Sequence, residues 1–77
     1  MSDVERLAAH CHNKQWSGWM KYLFGICAKN PDGTMTIPVW AVERWTRQAN
    51  TLYAELPANE KESDREEARE ILEVLEG

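Results

Sequence analysis

Pro31, Pro38 and Pro57 decide how this chain can be organised. A proline inside a helix removes a backbone hydrogen bond and clashes with the preceding turn, so helices stop before these positions or start at them. Ser2 followed by Glu5 has the spacing of a capping box and predicts a helix from Asp3 to about Ala28. Val4, Leu7, Ala8, Cys11, Trp16, Trp19, Met20, Leu23, Phe24 and Cys27 give that helix a broad apolar side. "KNPDG" stops it, because Asn30 precedes a proline and Asp32-Gly33 closes a turn. Residues 29–37 then read as an extended connector; the alternation of Met35 and Ile37 is too short to predict a sheet. Pro38 opens a second helix over about 38–49, with Val42, Trp45 and Ala49 in its stripe. Pro57 opens a third over about 57–75, where Ala68, Ile71, Leu72 and Leu75 recur at helical spacing.

The expected fold is all-α: one compact three-helix domain, residues 1–77, with a short extended connector between the first and second helices. A chain of this size buries only ~60% of its unfolded surface, so it needs a disulfide, a metal or a partner to be more than marginally stable. Cys11 and Cys27 lie on one predicted helix, roughly 24 Å apart at 1.5 Å per residue, far beyond the reach of a disulfide. Two unpaired cysteines, no leader-like apolar run and no membrane-length stretch point to a soluble protein of a reducing cytoplasm. His10, Cys11 and His12 are consecutive, so on a helix they diverge; no metal site is expected, and the histidines read as solvent-facing beside a core cysteine. No cofactor is expected either.

Charge is unevenly spread. Residues 1–52 carry six Lys/Arg and four Asp/Glu, whereas residues 53–77 carry three and nine. The basic part is too sparse for a nucleic-acid footprint. Glu66, Glu67, Glu70 and Glu73 form either a solvated helix face or a charge mimic that fits a basic groove on another protein. Ser17 and Ser63 have no histidine at informative spacing, so the chain is not expected to be an enzyme.

Four tryptophans among seven aromatics are more than three short helices can enclose, so some should line a concave site or a subunit interface. Gly18 and Gly25 fall with Cys11, Gln15 and Tyr22 along one seam of the first helix. Each glycine costs about 1 kcal/mol against alanine in a helix interior. Such a seam admits the backbone of another helix, from the same chain or from a second copy. A homo-oligomer, dimer or larger, is the expected state.

The stripe of the third helix raises a further question: one turn above Ala68, its apolar face gives way to Asp64 and Arg65, and then Lys61. One reading is structural, with Asp64 paired to Arg44 or Arg47 to pin the second and third helices. The other is a ligand site with aromatic walls (Trp16, Trp19, Trp45, Tyr53) and a polar rim (Arg44, Arg47, Lys61, Asp64, Arg65). Rings stack on such walls, arginines grip phosphates, and a carboxylate reads a hydroxyl or amine, which suits a nucleotide-like ligand.

The stretch "YAELPANEKESDREEAREILEVL" resembles the closing segment of the ryanodine-receptor repeat in its bacterial and phage versions, with Tyr53, Leu56, Pro57, Lys61, Asp64 and Arg65 matching position by position. The wider string "WSGWMKYLF … IPVWAVERWTRQAN … YAEL … EKESDR" is similar to small phage and prophage proteins, mostly without an assigned role. The resemblance implies ligand sensing in phage defence and, for a small free-standing phage version, sequestration of a nucleotide-derived signal in the cytoplasm of an infected or lysogenic host. The alternatives are an acidic inhibitor of a host defence protein and a structural or regulatory phage subunit.

Overall fold

The computed structural model describes residues 2–77. α1 (Asp3–His10) begins where the Ser2 hydroxyl accepts the Glu5 amide at 3.1 Å, which is half of the expected capping box. It runs unbroken into a π-helical segment (Cys11–Trp16) and then α2 (Ser17–Ile26). The Ser17 hydroxyl donates to the His12 carbonyl at 2.6 Å, five residues back, and the Ser17 amide also reaches that carbonyl. The rod's last helical residue is Ile26, two residues before the expected end at Ala28, because Cys27 with ψ 148° turns the chain extended.

The connector is more ordered than its composition suggests. β1 (Ala28–Lys29) and β2 (Met35–Thr36) pair antiparallel, Ala28 opposite Thr36 and Lys29 opposite Met35, so a small sheet replaces the expected extended link. The turn is built by "NPDG": the Gly33 amide donates to the Asn30 carbonyl at 3.1 Å, and Gly33 takes φ 88°. Asp32 accepts the Thr34 hydroxyl at 2.6 Å and the Thr34 amide at 3.0 Å, and these bonds hold its carboxyl below the ordinary range.

α3 (Val39–Ala49) follows Pro38, a 3-10 turn spans Tyr53–Glu55, and α4 (Ala58–Glu76) follows Pro57. Both helices lie within one residue of the sequence-based bounds. α1 runs antiparallel to the end of α4, with Arg6 donating to the Leu75 carbonyl at 3.0 Å. Trp19 of α2 meets Trp45 of α3 edge-on, ring centroids 5.0 Å apart.

A mostly α fold is therefore observed, but a compact one is not. The radius of gyration is 15.5 Å, against about 11.5 Å for a compact chain of this length. Accessible surface is 6157 Å², where roughly 4,800 Å² is usual for this mass. Among the described residues only Ala41 is fully buried. The physical cause is visible on α2, where Leu23 and Ile26 are partly covered while Met20, Tyr22 and Phe24 stay about half exposed. No helix among the described residues is long and apolar enough to cross a membrane.

Candidate functional site

An open groove of about 930 Å³ lies where α2, α3 and the start of α4 converge. Trp19 and Tyr22 project into it from α2, Arg44, Trp45, Arg47 and Gln48 from α3, and Glu60 and Asp64 from α4. Tyr53 and Leu56 close one end from the 3-10 turn. Trp19, Trp45, Tyr53, Arg44, Arg47 and Asp64, six of the nine residues expected to line a ligand site, are thus brought together. The i, i+3 spacing on α3 explains Arg44 and Arg47, and the i, i+4 spacing on α4 explains Glu60 and Asp64.

The other three stand elsewhere. Trp16 is 58% exposed and outside the groove, because it closes the π-helical segment and takes a different direction from Trp19. Lys61 lies over the outer face of the Tyr53 ring, 5.7 Å from its centroid. Arg65 is held by Glu62 at 3.2 Å, and Glu62 also takes Arg69 at 2.8 Å. That pair of guanidiniums, Arg69 first, keeps the Glu62 carboxyl low. Glu62, with Tyr53 adding, raises Arg65. Lys61 and Arg65 therefore replace the apolar stripe where α4 passes under a tyrosine and not over a core.

Polar groups inside the groove divide into tied and free. Arg47 grips Glu60 with both forks, at 2.6 and 3.2 Å. Glu60 is consequently held below its ordinary carboxyl range by Arg47, with Gln48 adding, and Arg47 is raised in turn. The helix-pinning pair expected at Asp64 is made by Glu60 instead. Asp64 makes no ion pair among the described residues, and Arg44 makes only a stacking contact, 5.1 Å over the Trp40 ring. The groove thus offers one cation, one carboxylate and four aromatic rings. Tyr22, Gln48 and Glu60 were not expected as lining; for Glu60 the signal was present, since it sits one helical turn before Asp64.

The seam expected along the first helix is split. Gln15 turns toward α4 and donates to Glu67 at 3.4 Å. Gly18 borders a shallow recess of about 360 Å³ beside Gln15 and Glu67, Tyr22 joins the groove, and a Cβ at Gly25 would meet nothing. Cys11 and Cys27 are both free thiols, half-buried. On the acidic helix Glu66, Glu67, Glu70 and Glu73 are all exposed, with Glu67 accepting from Gln15 and Glu70 lying 3.8 Å from His10. His10 also departs from expectation, since its side chain is 10% exposed and packed toward α4.

Comparison with protein-family models, characterised proteins and solved structures gives no match.

Proposed function

We propose that this chain is a small, non-catalytic binding module of phage type that holds a nucleotide-like ligand in the α2–α3–α4 groove and withholds it from a host defence system. The observation that carries the reading is the meeting of two opposite charges that form no salt bridge among the described residues, Arg44 and Asp64, with the rings of Trp19, Tyr22, Trp45 and Tyr53 in one groove. A phosphate suits Arg44, a base or sugar hydroxyl suits Asp64, and a planar base stacks on the rings. Of the six residues matching the ryanodine-receptor-like segment, Tyr53, Leu56 and Asp64 line this groove, whereas Pro57, Lys61 and Arg65 do not. The acidic-inhibitor alternative is less well supported, because two of its four exposed glutamates, Glu67 and Glu70, already lie against Gln15 and His10 of the same chain.

A homo-oligomer belongs to the proposal. The chain exposes about 1,350 Å² more than a compact monomer of its mass. Covering that excess in two copies buries roughly 2,700 Å² in total, within the range of obligate dimers.

Tryptophan fluorescence tests the site directly, since Trp19 and Trp45 are both in it. Titration with linear and cyclic nucleotides should quench emission saturably. Arg44→Ala should weaken binding about 10- to 150-fold, the value of a charge-assisted hydrogen bond of 1.5–3 kcal/mol. Lys61→Ala should weaken it less, since Lys61 acts only behind Tyr53. Saturable binding that is indifferent to Arg44→Ala and Asp64→Asn in folded protein removes the groove as the site, and no binding to any nucleotide removes the ligand class.

A further inference from the structure

Across the α1–α4 contact, away from the groove, His10 faces two carboxylates on successive turns of α4, Glu67 and Glu70. One ligand atom from each of the three lies within 4.8 Å of the others. The His10 side chain is nine-tenths buried, and its Nε2 has essentially no solvent contact and no hydrogen-bond partner. The Nε2 atom stands 3.8 Å from Glu70 Oε2. That is too long for a hydrogen bond. It is close to the roughly 3.4 Å that separates two donors of a tetrahedral ion with 2.0–2.1 Å bonds. The arrangement therefore leaves a buried ring nitrogen unsatisfied unless something sits between the ring and the carboxylates.

We infer that His10, Glu67 and Glu70 form a binding site for one divalent transition-metal ion of the zinc class, linking α1 to α4. An imidazole with two carboxylates is a borderline donor set, which suits Zn²⁺ and not Mg²⁺ or Ca²⁺. Two carboxylate charges beside an imidazole ligand balance a dication, with water completing the shell. Gln15 donates to Glu67 Oε2 at 3.4 Å, which orients that carboxylate and leaves its other oxygen for the metal. Each helix contributes at least one ligand, so the ion binds the folded chain in preference to the unfolded one. Among the described residues only Ala41 is fully buried, so such an ion would add to the Arg6–Leu75 hydrogen bond in tying α1 to α4.

The test is calorimetry and thermal melting of the whole chain in reducing, chelator-free buffer, with Zn²⁺ as the probe and Co²⁺ as its spectroscopic substitute. One Zn²⁺ per chain is expected, with Tm rising by roughly 10–20 °C at a hundredfold excess over Kd. Glu70→Gln, an exposed change that leaves the fold intact, and His10→Gln should each abolish that rise. Gln15→Ala should weaken Zn²⁺ binding about 10- to 100-fold. The Co²⁺ spectrum should lack a thiolate charge-transfer band. No heat and no Tm shift, an unchanged shift in Glu70→Gln, or a thiolate band lost in Cys11→Ser would each overturn the site.

Discussion

At the scale of single residues, the groove rests on two pairs. Trp19 and Trp45 meet edge-on at 5.0 Å, and such aromatic pairs add about 0.5–1.5 kcal/mol beyond their buried area. A double-mutant cycle of Trp19→Leu and Trp45→Leu, read by urea denaturation, should return a coupling of about that size. The second pair, Arg47 with Glu60, makes stability depend on pH. Glu60 has its folded pKa lowered from 4.5, first by the Arg47 hydrogen bond. Its contribution is present above 4.5 and disappears as pH falls from there through the lowered value. Tm should therefore drop on acidification below that point more steeply in the wild type than in Glu60→Gln, which should already melt a few degrees lower at neutral pH. The sequence made Arg44 and Arg47 legible together with Trp19, Trp45 and Tyr53, because i, i+3 and i, i+4 spacing fixes which residues of one helix share a face, but it missed Tyr22 and added Trp16, Lys61 and Arg65. It left Glu60 and Asp64 equivalent, one turn apart on the same face. Only the reach of Arg47 across the interhelical gap decides between them.

At the scale of elements, the turn and the π-helical segment set the directions of everything after them. Gly33 holds φ 88°, where a Cβ is disfavoured by about 1–2 kcal/mol. Gly33→Ala should lower stability by that amount and loosen the β1–β2 hairpin, seen as faster exchange of the Asn30 amide, which donates to Thr34 at 2.9 Å. "NPDG" announced this turn, and proline announced where α3 and α4 begin. The π-helical segment had no such signal: "CHNKQW" contains neither glycine nor proline, and five-residue hydrogen-bond spacing leaves no mark on composition. Reading Cys11, Gln15, Gly18, Tyr22 and Gly25 as one seam assumed regular helix through residues 11–16. The wider turn sends Gln15 toward α4, Tyr22 into the groove and Gly25 into open space. Deleting Asn13 should restore regular winding and turn α2 by about 100° relative to α1. Trp19 would then leave Trp45, and the near-UV circular dichroism of the pair should collapse while far-UV helicity is kept.

At the scale of the whole molecule, the exposed side of α2 separates a lone chain from an assembled one. Phe24 is 53% exposed and Met20 50% exposed, and Gly25 adjoins them with nothing near its missing Cβ. Large apolar side chains left exposed next to one another on a helix flank mark a surface that a partner covers. In an isolated chain, Gly25→Ala improves helix propensity by about 1 kcal/mol and meets no obstacle. In a dimer whose partner packs over Phe24 and Gly25, the added methyl stands in the closest approach of two backbones. The substitution thus has opposite signs in the two states. Under the proposed assembly, light scattering should show a dimer or larger species at micromolar concentration, Gly25→Ala should shift it toward monomer, and Phe24→Glu should dissociate it. A wild-type monomer that Gly25→Ala merely stabilises would mean that the excess surface is covered by some other partner, and that the ligand groove works in a single copy.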